Sequence, residues 1–259
     1  MAGRLSIVVL GNSLTFLQTP QRRRRDQGTY GEVLQELLAQ AGVEADMHLE
    51  GRWFDFIDKG LGRYQESVRS HQPDVLIVQY GLNESQPWLA PVWLIRHLTT
   101  RHQTVTPLAL WYRRVVAGRV WRVLRAYRRA ASPRVGTRTW QMTPQRFAGK
   151  LQKLISNVRI ELKPLVLVLD ITAPGPLLTH FLPGMEERHA LYQQVIRRVV
   201  DGFDSAEVRL VEVSKVVDEL GFEVAAPDSM HFSVVGHRRV GELLAAEVLS
   251  WLQATPPRC

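Results

Sequence analysis

Cysteine is almost absent from this chain of 259 residues, which contains only Cys259. A disulfide framework within one chain is therefore excluded, and a thiolate metal site is not expected. Long apolar runs are also missing, since no stretch approaches the roughly 18 residues that span a bilayer. No unit of roughly 20–50 residues recurs, which argues against a solenoid. With 45% hydrophobic and 22% charged residues, the composition is typical of a globular protein with one sizeable core.

Acidic residues are missing from one long segment. Residues 85–160 contain 15 Lys or Arg residues and no Asp or Glu, whereas the rest of the chain holds 18 basic and 25 acidic residues. The net charge of +8 therefore belongs to residues 85–160, which we call the basic segment. We expect a single domain over residues 1–259, in which the basic segment is a helical insertion or lid at about 85–160.

Short apolar, β-branched segments alternate with segments of helical periodicity. The predicted strands are 5–10, 43–49, 74–80, 165–171 and 208–213. The predicted helices are 29–41, 56–68, 143–162, 185–200, 234–252, and one or two within 108–131 that break near Gly118. This alternation predicts an α/β fold, a three-layer α/β/α sandwich with a central parallel sheet of about five strands. Thr143 and Ser233 are the predicted caps of their helices.

Three polar residues in this pattern suggest nucleophilic catalysis. Ser13 follows the first predicted strand, and Asp228 and His231 stand three apart before the last helix. A hydroxyl is a weak nucleophile at neutral pH and needs a general base, for which histidine is suited when a carboxylate holds its tautomer. Functional groups in parallel sheets gather beyond the carboxyl ends of the strands, which is where Ser13 and Asn83 are predicted.

The motifs that contain these residues resemble those of the SGNH/GDSL hydrolases. Residues 11–15, Gly-Asn-Ser-Leu-Thr, resemble that family's first block, Gly-Asp-Ser-Leu-Thr. Residues 81–84, Gly-Leu-Asn-Glu, resemble its third block, Gly-x-Asn-Asp, and residues 228–231 match its fifth, Asp-x-x-His. Asn12 and Glu84 replace the aspartates of the first and third blocks, and Gly51 is the candidate for the poorly matched second block. The blocks occur in order across almost the whole chain.

The resemblance implies an SGNH-hydrolase, flavodoxin-like fold and a role for each matched position. Ser13 would attack an ester or thioester carbonyl, His231 would take its proton, and Asp228 would orient His231. The Ser13 backbone N–H, the Gly51 N–H and the Asn83 side-chain amide would hold the oxyanion. The implied activity is that of a serine acyl hydrolase that forms an acyl-enzyme on Ser13.

Other site chemistries have less support in the sequence. The mid-sequence Gly-x-Ser-x-Gly motif of the α/β-hydrolase fold does not occur. Gly60 and Gly62 lack the third glycine and the preceding strand of a dinucleotide fingerprint. We expect neither a metal nor a cofactor, because the remaining histidines show no metal-ligand spacing; they are His48, His71, His97, His102, His180, His189 and His237.

Two alternative functions remain open. An acyltransferase would use the same triad to pass the acyl group to an alcohol or amine, and a non-catalytic binding module would keep only the fold. The sequence favours a cytoplasmic protein, because the short apolar start of the chain runs directly into Gly11-Asn12-Ser13.

The role of the basic segment is also open. It could dock on an anionic membrane surface, which would make the protein peripheral, or on an acidic carrier protein. It could instead bind an anionic group of the substrate, or be a solvated arginine face. The four arginines at 22–25 are predicted to form a solvated loop near the site, and no nucleic-acid partner is expected.

Overall fold

Five parallel strands form the sheet that the sequence predicts. The computed structural model describes residues 4–15, 28–99, 106, 108 and 111–254. The strands are β1 (Leu5–Gly11), β2 (Ala45–Gly51), β3 (Val75–Gln79), β4 (Leu165–Leu169) and β5 (Val208–Val211). Their order across the sheet is β2-β1-β3-β4-β5, with every neighbouring pair parallel. The four-arginine run at 22–25 lies outside the described residues.

Helices cover both faces of this sheet. The α-helices are α1 (Tyr30–Gln40), α2 (Ile57–Gly62), α3 (Tyr64–Ser67), α4 (Val92–Thr99), α5 (Gly118–Val135), α6 (Pro144–Glu161), α7 (Pro176–Phe181), α8 (Met185–Asp201), α9 (Ser214–Leu220), α10 (Phe222–Ala225) and α11 (Val234–Ala254). Short 3-10 turns occupy Ser13–Thr15 and Arg69–His71, and a π-helix covers Tyr112–Ala117. No helix among the described residues combines the length and apolarity needed to cross a membrane.

Two separate cores result from the alternation of side chains along the strands. In β1, Ile7 and Val9 pack on one face with α1 and α11, whereas Val8 and Leu10 pack on the other with α6 and α8. β3 and β4 are buried at every position, which explains their continuous apolar sequences. The three-layer α/β/α sandwich is therefore confirmed.

The first and last helices meet closely on one face of the sheet. A Cβ added to Gly241 of α11 would come 2.6 Å from Cγ1 of Val33 in α1, so the glycine permits the two helices to approach. The backbone N–H of Tyr30 donates to Nδ1 of the buried His237, 3.1 Å away. These contacts bring the end of the chain beside β1, from which the first predicted motif follows.

Caps at the helix starts agree with the sequence. The Ser233 hydroxyl accepts from the N–H of Gly236, and the Thr143 hydroxyl accepts from the N–H of Arg146. Thr29 and Glu32 form a capping box at the start of α1.

One predicted helix is wrong, and the structure also decides two points about the basic segment. The helix predicted over 56–68 is two short helices, α2 and α3, which Arg63 separates. No break occurs at Gly118, where the π-helical turn continues directly into α5. α6, the last part of the basic segment, is no lid, because its apolar side is buried against the sheet. Periodicity alone does not distinguish a lid helix from a helix that belongs to a layer.

Burial of His189 predicts a loss of stability in acid. Its ring bonds the Thr172 carbonyl at 2.9 Å, and burial lowers its pKa from the ordinary 6.5 to about 4. The unfolded chain therefore binds a proton that the native protein excludes, and stability is lost as the pH falls from about 6.5 to about 4. At pH 5 this one group costs on the order of 2 kcal/mol. We expect His189→Gln, which does not titrate, to lose less free energy of unfolding in urea between pH 7.5 and pH 5.

His180→Gln, at an exposed position of α7, is the matched control and should retain the pH dependence of the natural protein. Equal pH dependence in His189→Gln and in the natural protein would contradict the burial argument.

Candidate active site

Ser13 lies immediately beyond the carboxyl end of β1. It opens the 3-10 turn Ser13–Thr15, and side-chain bonds hold that turn. The Asn12 side-chain oxygen accepts from the N–H of Leu14 at 3.0 Å, and the Thr15 hydroxyl donates to the Asn12 carbonyl at 2.8 Å. Asn12 thus retains one of the contacts that an aspartate could make, but its Nδ2 is buried without a hydrogen-bond partner among the described residues.

Asp228 and His231 share one tight turn before α11. One carboxylate oxygen of Asp228 accepts from the backbone N–H groups of Met230 and His231, at 2.9 and 2.7 Å. Its other oxygen accepts from the His231 ring. The spacing of three residues thus lets one carboxylate both close the turn and hold the imidazole.

The turn contains a backbone conformation that favours glycine, although a serine occupies it. Ser229 has φ 67°, a left-handed value that costs a non-glycine residue on the order of 1 kcal/mol. Its hydroxyl accepts from the N–H of Leu177 at 3.0 Å. A Cβ on Gly175 would clash with the Ser229 side chain, so the segment before α7 closely supports this turn.

The structure brings the three predicted catalytic side chains into one hydrogen-bonded chain. The Oγ of Ser13 lies 3.0 Å from Nε2 of His231, and Nδ1 of His231 lies 2.8 Å from Oδ2 of Asp228. Because the ionised carboxylate can only accept, Nδ1 carries the proton and Nε2 is left to accept from the serine hydroxyl. Burial raises the pKa of Asp228, but the hydrogen bonds from His231 and Met230 outweigh that effect and hold the pKa below its ordinary value.

Asn83 lies in the loop that follows β3, the strand next to β1. Its side-chain Nδ2 donates to the Asp55 carbonyl at 2.9 Å, and it lines the same cavity as Ser13 and His231. One of its two amide hydrogens is therefore committed to Asp55, which fixes the orientation of the amide group.

Glu84 holds the loop after β3 through two backbone hydrogen bonds. Its carboxylate accepts from the N–H groups of Ile57 and Gly81, at 2.7 and 2.9 Å. The side chain is completely buried, and burial raises its pKa to about 7. The longer glutamate, where the family pattern has aspartate, reaches from the β3 loop to the start of α2.

Asp55 connects the loop to a buried ion pair. Its carboxylate lies 2.7 Å from Nη1 of Arg63 and accepts from the Tyr80 hydroxyl at 3.2 Å. Arg63 also donates to the Glu50 carbonyl at the end of β2. This network joins the ends of β2 and β3 below Asn83.

Gly51 ends β2 and pairs with Gly11 of β1. A Cβ on Gly51 would clash with the Thr15 hydroxyl and lie 3.3 Å from the Asn12 carbonyl, so only glycine fits against the Ser13 turn. The residues that line the cavity do not include Gly51, and its role as an oxyanion donor stays a prediction.

A cavity of about 270 Å³ opens beside Ser13 and His231. Its lining combines the predicted catalytic residues with many apolar side chains: Ser13, Trp53, Phe54, Leu82, Asn83, Gln86, Ile95, Trp121, Arg125, Arg128, Leu178, Phe181, Leu182, Asp228, Met230 and His231. Its size and mainly apolar walls suit a small organic ligand.

Trp53 is among the lining residues that were not predicted from the sequence, whereas Trp121 belongs to the aromatic residues of the basic segment that suggest an acyl pocket. Trp53 stacks parallel to the His231 ring, with 6.0 Å between centroids. Its position two residues after Gly51, the predicted second-block glycine, could have indicated that it lies near the site. Trp121, Arg125 and Arg128 come from α5, so the basic segment contributes directly to the cavity wall. A charge count cannot separate these inward arginines from exposed ones.

Two further pairs of contacts involve histidines outside the predicted triad. Among the described residues, no group of three potential metal ligands occurs. His237 bonds Tyr30 as described above, and His48 stacks on His71 with 3.9 Å between centroids.

Comparison with known proteins identifies the fold. No protein-family model and no curated protein sequence matches the chain. The structure is similar to a lipase/acylhydrolase from Enterococcus faecalis, with a TM-score of 0.62 and 16% identity over 98% of this chain and 99% of that one. It is also similar to an acetyl xylan esterase, with a TM-score of 0.59 and 17% identity over 94% of this chain and 100% of the other.

An acetylxylan esterase from Geobacillus stearothermophilus is a third similar structure, with a TM-score of 0.57 and 14% identity over 96% of this chain and 94% of that one. Together with the five-stranded parallel sheet, these similarities establish that the chain has the SGNH/GDSL hydrolase fold.

The buried contacts of Glu84 predict a loss of stability on substitution. Glu84→Gln keeps one side-chain oxygen but loses the second, so the N–H of Ile57 or Gly81 faces an amide donor. Leaving one buried donor unpaired costs about 1–3 kcal/mol. We expect the free energy of unfolding, measured in urea, to fall by that amount.

Glu66→Gln is the matched control, because that side chain is 78% exposed and its ion pair with Arg52 is long at 3.8 Å. The control should change stability by less than about 0.5 kcal/mol. Equal stability of the two variants would show that Glu84 does not anchor the loop.

Proposed function

We propose that this protein is a serine hydrolase that cleaves an ester or thioester through an acyl-enzyme on Ser13. The observation that carries the proposal is the unbroken chain from Ser13 Oγ to His231 Nε2 and from His231 Nδ1 to Asp228, at 3.0 and 2.8 Å. The three groups come from opposite ends of the sequence. Their contact beside a ligand-sized cavity supports nucleophilic catalysis rather than a structural role.

The reaction follows from the direction of the hydrogen bonds that join Ser13, His231 and Asp228. Ser13 Oγ attacks the acyl carbon while His231 Nε2 takes the hydroxyl proton, and the imidazolium that forms is stabilised by Asp228. The bond to the alcohol or thiol then breaks, and His231 returns the proton to the leaving group. A water molecule then attacks the acyl carbon while His231 takes its proton. The bond from the acyl carbon to Ser13 Oγ breaks, the acid leaves, and His231 returns the proton to Oγ.

The tetrahedral intermediate needs donors for its oxyanion. The proposed donors are the backbone N–H of Ser13, the second amide hydrogen of Asn83 and the N–H of Gly51. The support for Asn83 is its place in the cavity lining and its fixed contact with Asp55. Gly51 borders the Ser13 turn but has no further support from the cavity.

The acyltransferase alternative shares every step up to the acyl-enzyme and differs in the acceptor, which would be an alcohol or amine in place of water. Hydrolysis needs no acceptor other than water and is therefore the function proposed. Supplying an acceptor and measuring acylated product against free acid distinguishes the two. A binding module would keep the cavity and show no turnover in either assay.

Activation of Ser13 is tested by labelling. A fluorophosphonate should add once to the natural protein, because His231 raises the nucleophilicity of the Ser13 hydroxyl, and should add nothing to Ser13→Ala. Intact-protein mass spectrometry measures the adduct. Ser70→Ala, at an exposed serine, is the matched control and should be labelled like the natural protein. An unlabelled natural protein that is folded by circular dichroism would favour the binding module.

Asn83 is tested by kinetics. Asn83→Ala should lower kcat for a p-nitrophenyl ester by about 10²–10³-fold, because the amide acts on charge that develops only in the transition state. Asn157→Ala, on α6 away from the cavity, is the control. A decrease in kcat of less than about tenfold for a folded Asn83→Ala would remove Asn83 from the oxyanion site.

A further inference from the structure

Two guanidinium groups line the cavity beside Ser13. Arg125 and Arg128 project from α5, and α5 belongs to the segment that has no acidic residue. Among the described residues, neither arginine has an Asp or Glu within ion-pair distance; Asp228, the acid of the cavity lining, is paired with His231. The cavity therefore holds positive charge that the described part of the protein does not neutralise.

Arg128 is the more informative of the two. It is only 7% exposed, its Nη2 donates to the neutral Gln86 side chain at 3.1 Å, and its Nε is buried without a hydrogen-bond partner among the described residues. Burial lowers its pKa to about 10, which still leaves the group charged at neutral pH. A buried charge of this kind is costly unless an anion accompanies it.

A second buried arginine shows what a structural arginine looks like in this fold. Arg188 is 1% exposed, but it donates to the carbonyls of Ser85 and Gly136 and lies 4.4 Å from the centre of the Trp140 ring. It does not line the cavity. Arg188 is thus satisfied by the protein, whereas Arg128 retains donor capacity at a cavity wall.

Arg125 extends the same wall with its position held by aromatic rings. Its guanidinium lies 5.8 Å from the Trp121 ring centre and 5.2 Å from that of Phe181. Stacking of this kind orients a guanidinium and leaves its in-plane N–H donors available. The same lining also contains the apolar Leu178 and Leu182.

From this arrangement we infer that Arg128, with Arg125, forms an anion subsite that selects small acyl esters or thioesters carrying a carboxylate or phosphate group. The inference rests on the proposed function, since it names the substrate class of that site. A carboxylate and a phosphate offer the same paired oxygens to a guanidinium fork, and both form charge-assisted hydrogen bonds with it. The volume of about 270 Å³ limits the substrate to a small molecule or to the end of a longer one.

The test compares two esters with acyl chains of equal length, mono-p-nitrophenyl glutarate, which is anionic, and p-nitrophenyl pentanoate, which is neutral. The measured quantity is the kcat/KM for the anionic ester divided by the kcat/KM for the neutral ester. Arg128→Gln should lower this ratio by about 10- to 100-fold, because hydrogen bonds to a charged group contribute about 1.5–3 kcal/mol. Arg128→Lys keeps the charge but not the forked guanidinium, so its ratio should lie between those of the natural protein and Arg128→Gln.

Arg119→Gln is the matched control, since it removes the same charge from an exposed position of α5 outside the cavity lining. Its ratio should equal that of the natural protein. A ratio gives a readout that a general loss of fold would not move, because both esters are assayed with the same preparation.

Inhibition separates the two sources of the anion. Butyl phosphate and pentanoate are tested as competitive inhibitors of p-nitrophenyl pentanoate turnover, and the anion whose inhibition weakens more in Arg128→Gln identifies the group. If the ester ratio and both inhibition constants are the same in the natural protein and Arg128→Gln, the anion subsite is disproved while the hydrolase proposal stands.

Failure of the proposed function has a different signature. In that case neither ester is turned over, and the fluorophosphonate leaves Ser13 unlabelled. The subsite is then tested by titrating butyl phosphate and pentanoate into Ser13→Ala and following the thermal midpoint, with Ser13→Ala/Arg128→Gln beside it. A ligand-induced rise in the midpoint that is lost with Arg128→Gln supports the subsite. An equal rise in both variants, or no rise in either, overturns it.

Discussion

The contact between α1 and α11 is the constraint on which the candidate site depends. Close approach at Gly241 and the bond from the Tyr30 N–H to His237 fix the last helix beside the first strand. The turn that carries Asp228 and His231 leads directly into α11, and Ser13 follows β1. Ser13 and His231 are 218 positions apart in the sequence, so only this packing of distant elements brings the two side chains together.

Buried polar groups hold the loop that carries Asn83 into the cavity lining. Glu84 accepts two backbone N–H groups, and Asp55 orients Asn83 through its carbonyl while its carboxylate pairs with Arg63. Such networks hold a unique geometry only when nearly every member is satisfied. They also explain how the chain accommodates Glu84 where the SGNH/GDSL motif has aspartate, since the longer side chain reaches the start of α2.

Much of the fold followed from local patterns, and the exceptions have physical causes. β3 and β4 are continuous apolar runs, so their burial on both faces was predictable. The separation of α2 from α3 and the unbroken passage at Gly118 were not, because packing overrides propensity in such short stretches. α5 lines the cavity with Trp121, Arg125 and Arg128 and leaves Val123 and Tyr127 exposed, a division that composition does not reveal.

The sequence by itself determined the α/β class, the strand order along the chain and the three motif blocks that include Ser13, Asn83, Asp228 and His231. It could do so because strand and helix periodicity and the Asp-x-x-His turn are local properties of the chain. Only the tertiary structure decided which residues share the cavity, and which arginine of the basic segment is buried in the wall of the cavity that Ser13 also lines. Those properties depend on the packing of elements that are distant in sequence, and a charged side chain looks the same in the sequence whether it faces water or a cavity.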